Sequence, residues 1–462
     1  MSFIGIDLGT SYIKGAVLDL ETSRLEHIQR VPFPNRLSKR NPLLFEFSPH
    51  EIATTTRRVI DSLAQNVSTC EGIVMCSQMH GMILLDEQGE LASNFISWMD
   101  HRGLMDHPSG SGSYLDVLMG RTTATQRKQV GNELGLERPA CFLFYLSERG
   151  ELRNSGTAVS ISEYVLSALC DSEPSGEMTN ASASGLFDLE AQRWHQELIE
   201  AIGLATLRFP ALRALGEVVG YLTVGSRQLP CFTAIGDHQS ALLGSLLTPE
   251  ELSLNISTGA QISRLTSELR LGEYQTRPFF EGQFINTFSD VPGGRSLEVL
   301  VNLLTEFAGT QGHSTMRDPW NLLEAAAMEI GDTDLEVESS FFTSLNSGGG
   351  RILNIRGDNL TAGSLFRATL KRMAAIYHGF ACSLWPEVAW KNLVFSGGLA
   401  LKLKILRDII QQEFEVDSRL CPVAEDTLFG LLILARVFSG RSPSIQDAVK
   451  SIRCETTQTS VG

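Results

Sequence analysis

Residues 3–19, FIGIDLGTSYIKGAVLD, restrict the possible folds of this chain more than any other stretch. Ile4, Ile6 and Leu8 alternate with Phe3, Gly5 and Asp7, the period-two pattern of a strand with one buried face, and residues 13–18 read as its returning partner. The turn is Gly9-Thr10-Ser11. It offers backbone N–H groups and two hydroxyls to an anion, and Asp7 at the strand end is a candidate ligand for a divalent cation beside it. An ordinary hairpin containing an Asp is the competing reading. Residues 252–265, LSLNISTGAQISRL, repeat the pattern of strand, Ser/Thr/Gly turn and strand. A unit recurring at the head of each half predicts a duplicated chain with two related α/β domains, with chance likeness of two amphipathic hairpins as the alternative.

The length of 462 residues agrees with two domains, being more than one core usually supports. We place the domains at residues 1–247 and 248–454, with a mobile tail at 455–462. The net charge of −15 argues against nucleic acid as a partner, although a nucleotide held by local N–H groups and a cation is compatible with it. The eight cysteines include no C-x-x-C pair and are scattered through apolar segments, which predicts reduced thiols and a cytoplasmic setting. No basic and apolar leader opens the chain, and the apolar run 428–435 ends at Arg436, too short to cross a bilayer. We therefore expect no membrane partner.

Between the hairpins the chain alternates helices and buried strands. Residues 48–64 read as a helix with Ser48-Pro49 at its start, and residues 72–76 as a strand delivering SQMHG, residues 77–81, to its C-terminal tip. Residues 231–235 form another strand, ending at Gly236-Asp237-His238, with a helix read from Ser240 to Leu247. Residues 361–384 read as a long helix, and residues 391–395 as a strand entering Gly397-Gly398 and a further helix, a turn that lets an anionic or flat ligand approach the backbone. Trp98, Asp100 and Arg102 alternate along what reads as an extended segment, so all three are expected on one face.

GIDLGTS (5–11), SQMHG (77–81), SWMDHR (97–102), GDHQSALLG (236–244), STGA (257–260) and VFSGGLALK (394–402), in this order, resemble the FGGY family of carbohydrate kinases over nearly the whole chain. The resemblance implies two ribonuclease-H-like (actin-like ATPase) domains from an internal duplication, with the active site in the cleft between them, and ATP and Mg²⁺ as cofactors. Gln78, Met79 and His80 resemble the ketose-phosphorylating members, whereas those acting on glycerol have Arg-Glu at the positions of Met79 and His80. RPFFEG (277–282) leading to Pro292-Gly293-Gly294, and NIRGDNLT (354–361), resemble members acting on sedoheptulose, with xylulose or another sugar or polyol as the alternative acceptor.

By this resemblance Asp237 is the general base that takes the proton of the sugar's terminal primary hydroxyl, and Asp7 orients Mg²⁺. Gly9, Thr10, Ser11, Lys14, Thr258 and Gly259 meet phosphates, and Gly294, Gly397 and Gly398 surround adenosine. Gln78, Met79, His80, Trp98, Asp100, Arg102 and His238 join Asp237 in binding sugar, with Asp100 and Arg102 bonding either hydroxyls or each other. Two positions depart from the family pattern: Leu399 follows the glycines where a small residue is usual, and Ser257 stands where glycine is frequent. The expected partners are a sugar and ATP, with the protein a monomer or homodimer. An actin-like nucleotide switch and a sugar-binding regulator are the non-enzyme readings. The first has no use for SQMHG or GDHQS, and the second predicts loss of Asp7 or Asp237, both of which are present.

Overall fold

The computed structural model describes the chain except for residues 153–155, 307–317, 339–349, 385–389 and 460–462. By internal contacts it forms two units: Met1–Leu246 with Ser267–Phe284 and Pro422–Gly462, and Leu247–Thr266 with Ile285–Cys421. Where the sequence reading draws one boundary, after residue 247, the chain thus crosses between the units at four points.

In the first unit, β1 (Ser2–Leu8), β2 (Tyr12–Asp19) and β3 (Arg24–Pro32) form an antiparallel meander, and β4 (Cys70–Ser77) lies parallel to β1 on its other side. The sheet continues through β5 (Val218–Val224) and β6 (Arg227–Phe232) in the order β5-β6-β4-β1-β2-β3, and the two-residue β7 (Ile235–Gly236) also pairs with β4. The reason is local. β1 and β4 are apolar along nearly their whole length and are buried, as strands covered on both faces must be. Helices α1 (Pro49–Ala64), α2 (Ile161–Cys170), α3 (Met178–Ser182) and α4 (Asp237–Gly244) belong to this unit. Ser48 caps α1 as its Ser-Pro start predicts, its side chain accepting the Glu51 N–H.

In the second unit, β8 (Glu251–Ile256), β9 (Ala260–Thr266), β10 (Phe284–Val291), β11 (Asn392–Ser396) and β12 (Asp417–Leu420) run in the order β10-β9-β8-β11-β12. Again the head strand is antiparallel to the next and parallel to a later one. The registers also agree. Asp7, next to last in β1, lies beside Lys14 and Cys76, and Asn255, next to last in β8, lies beside Gln261 and Ser396. The internal repeat is therefore a repeat of strand order and register, with an acid at its head in the first half only. Helices α5 (Gly294–Thr305), α6 (Ala362–Leu384) and α7 (Gly398–Lys402) belong to this unit.

The chain then returns to the first unit as α8 (Asp426–Phe438) and α9 (Ile445–Thr459). α8 crosses α4 at two glycines: a Cβ on Gly244 would lie 1.9 Å from the Asp426 carbonyl oxygen, and one on Gly430 would lie 2.0 Å from that of Ser240. Backbone packs on backbone there. Helix α9 runs through the start of the segment expected as a tail, whose last residues, 460–462, lie outside the described ones.

Two local expectations are corrected. Residues 97–102 do not form an extended strand: the Asp100 N–H returns to the Ser97 carbonyl at 3.0 Å, and Arg102–Leu104 is a short 3-10 helix. Helix α4 begins at Asp237, three residues before the expected Ser240, because Gly236 serves as its N-cap and the acid fits its first turn.

Candidate active site

β1 and β2 bring Asp7 and Lys14 face to face, since the two are register partners. Asp7 is buried; its Oδ2 accepts the Thr427 hydroxyl at 2.7 Å and lies 3.3 Å from Lys14 Nζ, while its Oδ1 is buried with no partner. Lys14 Nζ also lies 3.2 Å from Glu425, which pairs with Arg30 as well. Burial lowers the Lys14 pKa, but Asp7 and Glu425 outweigh it and hold the ammonium well above its ordinary value. The lysine read as a phosphate contact thus sits between two carboxylates, permanently charged. Burial pushes the neighbouring Asp426 carboxyl up to about 6.

At the turn, Trp98 Nε1 donates to Thr10 Oγ1 at 3.0 Å, and Thr10 Oγ1 donates to Gln78 Oε1 at 3.4 Å. Gln78 Nε2 in turn reaches the Gly9 carbonyl at 3.4 Å. Ser11 is exposed. Residues assigned to sugar and to phosphate are therefore tied to one another. Asp100 and Arg102 take the second course left open for them: both are buried, Asp100 Oδ1 accepts the Arg102 N–H at 2.9 Å and Nε at 2.8 Å, and Oδ2 accepts the Phe45 N–H at 2.7 Å. Arg102 also donates to Glu46 at 2.6 Å. This pair braces the turn that presents Trp98.

Asp237 is the first residue of α4 and is partly buried. Burial, and then the charge of Asp7, push its carboxyl up to about 7, against the backbone N–H and the Arg277 and Lys14 charges that favour ionisation. Beside it lies a cluster in which His80 and His238 meet three residues missing from the expected site, Glu133, Arg138 and Arg277. Glu133 is fully buried and takes Arg277 Nε at 2.6 Å and Arg138 Nε at 2.7 Å, with His80 Nε2 3.2 Å away. Arg277 Nη1 donates to His238 Nδ1 at 2.8 Å. Glu133 lies well below the usual carboxylate range: the two guanidiniums outweigh its burial. Burial and the Arg138 charge bring His80 down to about 3, and burial and Arg277 hold His238 well below its ordinary value, so both imidazoles are neutral at pH 7. His80 adopts φ 67°, a left-handed conformation uncommon for a non-glycine residue. Met79 is buried beneath Gly236, where a Cβ would lie 2.9 Å from its Sδ. No spacing in the sequence links residues 80, 133, 138, 238 and 277; RPFFEG was the one signal, and it did not name Arg277 as a site residue.

In the second unit three turns interlock. Ser257 N–H bonds the Gly259 carbonyl at 2.8 Å, Gly294 N–H the Ser257 carbonyl at 2.8 Å, and Arg295 N–H the Thr258 carbonyl at 2.9 Å. Gly398 N–H donates to Ser257 Oγ at 3.1 Å. Gly397 has φ +87°, and a Cβ there would lie 2.5 Å from the Ile256 carbonyl oxygen, so only glycine fits. Thr258, Gly259, Gly294, Gly397 and Gly398 are thus brought together, with Thr258, Gly259 and Gly398 exposed. Ser257, the departure from glycine, supplies the hydroxyl that joins two of the turns. Leu399 approaches Gly294, at 3.6 Å from a Cβ built there.

The chemistry available is that of a carboxylate titrating near neutrality, neutral imidazoles and a buried arginine beside it, and two glycine-rich turns open to anions. The chain is 22% identical to sedoheptulokinase of Mus musculus over 500 residues, covering 95% of this chain and 98% of that protein. Among solved structures, xylulose kinase of Lactobacillus acidophilus superposes with TM-score 0.81 at 17% identity, over 97% of this chain and 91% of that one. Glycerol kinase of Plasmodium falciparum with ADP superposes with TM-score 0.82 at 16% identity, over 98% and 92%. The model of the N-terminal domain of the FGGY family of carbohydrate kinases matches residues 2–244. The chain belongs to the FGGY family of carbohydrate kinases, and is a phosphotransferase with an alcohol group as acceptor.

Proposed function

We propose that this kinase transfers the γ-phosphoryl group of ATP to the terminal primary hydroxyl of a ketose, sedoheptulose to sedoheptulose 7-phosphate, with xylulose as the alternative acceptor. The observation that carries this reading is the surroundings of Asp237, a carboxyl pushed up to about 7 at the head of α4, next to neutral His238 and near neutral His80. A hydroxyl is a poor nucleophile, and a carboxylate placed to take its proton contributes about 10²- to 10⁴-fold. Support for a ketose comes from Met79 and His80 and from the likeness to sedoheptulokinase along nearly the full length of both chains.

Thr10, Ser11 and Lys14 in the first unit are assigned to phosphate, and Thr258, Gly259, Gly294, Gly397 and Gly398 in the second to the nucleotide. Trp98 walls the sugar, Gln78, Met79, His80 and His238 line it, and Asp100 with Arg102 holds that wall in place. Asp7 suits Mg²⁺: its buried Oδ1 has no partner, and no cluster of three or more metal-ligating side chains stands among the described residues, so water and phosphate oxygens would complete the coordination. Bound there, Mg²⁺ would neutralise charge on the phosphates.

No described helix is long and apolar enough to cross a membrane. We place the enzyme in the cytoplasm, where its cysteines, none in a disulfide among the described residues, would remain reduced.

The test is ADP release with sedoheptulose, xylulose, ribulose and glycerol as acceptors, with Asp237→Asn in parallel. Sedoheptulose is expected to give the highest kcat/KM, and the variant to lose at least about 10²-fold in kcat. If no acceptor raises ADP release above the Asp237→Asn background, the reading fails.

A further inference from the structure

Helix α3 and the residue before it carry buried polar side chains that the reading above leaves without a task. Glu177 caps the helix: its Oε2 accepts the Thr179 N–H at 2.8 Å and the Thr179 hydroxyl at 2.5 Å. With its proton committed to Glu177, the Thr179 oxygen accepts the Gly236 N–H at 3.0 Å. Asn180 Nδ2 donates to the Ala234 carbonyl at 3.2 Å and to Ser162 Oγ at 3.3 Å, and Ser162 Oγ receives the Ser77 hydroxyl at 2.9 Å. Ser77, Ser162, Glu177, Thr179 and Asn180 are all buried.

The network therefore grips the backbone on both sides of Ile235, immediately before Asp237, and reaches the residue immediately before Gln78. That grip is needed because β7 has only two residues, held by its pairing to Cys76 and Ser77. Nor is there slack at Gly236, where a Cβ would meet Gln239 Oε1 at 2.5 Å and Met79 Sδ at 2.9 Å. A displacement of Gly236 passes directly to Asp237.

We propose that Thr179, oriented by Glu177, is a positioning residue for the base Asp237, and that Asn180 with Ser162 fixes the spacing between that base and residues 77–80. The proposal rests on Asp237 as the general base. Thr179 touches neither sugar nor nucleotide in this assignment. It acts by holding the carboxylate where proton transfer demands placement within about 0.5 Å.

The experiment compares Thr179→Val, which keeps the shape but removes both hydrogen bonds of the hydroxyl, with Thr179→Ser, which keeps them, and with Asp237→Asn. Steady-state kcat and KM are measured with whichever of the four acceptors gives the fastest ADP release, well below the melting temperature of each variant and with circular dichroism confirming the fold. A misplacement of about 1 Å costs on the order of 10²-fold, so Thr179→Val is expected to lose at least about tenfold in kcat with KM within about twofold, and Thr179→Ser to stay within about twofold of the parent in both. A purely structural threonine would lower the melting temperature and leave kcat per folded molecule unchanged. That result, or equal losses in the valine and serine variants, overturns the proposal. Should Asp237→Asn keep the parent rate, or no acceptor be turned over, the base reading itself falls and the proposal with it.

Discussion

Asp237 shows how one side chain is tuned by what surrounds it. As the first residue of α4 it lies in the field of a helix N-terminus, which favours the anion, yet burial and the Asp7 charge prevail and push it up to about 7. A base must be unprotonated to act, so kcat/KM is expected to rise with pH through about 7 and level off above it. His80 and His238, both lowered, stay neutral across that range and add no limb of their own. A pH profile from 5.5 to 8.5 checks this, and a flat profile would assign the proton transfer elsewhere. Glu133 does the complementary work of holding Arg138 and Arg277 in the protein interior, so that Arg277 can approach His238. A buried charge is tolerated only when paired in this way.

At the level of elements, the crossing of α4 and α8 has the most to lose. Asp237 leads α4, Asp426 and Thr427 lead α8, and Ser240 Oγ donates to the Thr427 carbonyl at 2.8 Å. Since a Cβ on Gly430 would lie 2.0 Å from the Ser240 carbonyl oxygen, Gly430→Ala must push the helices apart. Overpacking of this kind costs about 1–3 kcal/mol, and the Thr427 hydroxyl would be drawn from Asp7. A lower denaturation midpoint together with a reduced kcat is the expected outcome, read by urea unfolding and ADP release. The motif GDHQSALLG displays Gly244 but gives no reason for it. The reason is α8, almost two hundred positions away in the chain, and the close approach exists only once the helices are packed.

For the whole molecule, charge and duplication set the terms. A chain of net charge −15 repels a free nucleoside triphosphate, and a divalent cation on the phosphates would relieve the repulsion as well as meet Asp7 in the role proposed for it. Chelation with EDTA is therefore expected to end ADP release, and added Mg²⁺ to restore it; undiminished turnover in excess EDTA would remove Asp7 from its metal role. The duplicated hairpins were legible because strand–turn–strand segments with Ser/Thr/Gly turns are local properties, although β1, read as a strand with one buried face, is buried on both. The placing of Asp7, His80 and Asp237 was legible because each sits in a contiguous motif at the end of a strand. The extended reading of residues 97–102 failed because alternation in six residues cannot tell a strand from a turn closed by Ser97 and Asp100.

By itself the sequence determined the α/β repeat, the family and the placing of Asp7 and Asp237 at the ends of strands. Tertiary structure alone decided what meets what: Thr427 and Lys14 on Asp7, two arginines on Glu133, which no motif marked, and the Thr179 hydroxyl behind the backbone of Gly236. The physical reason is range. Strand pairing and turns follow from neighbours along the chain, whereas a buried charge or hydroxyl finds its partner among residues tens to hundreds of positions distant, and only the packed fold selects which.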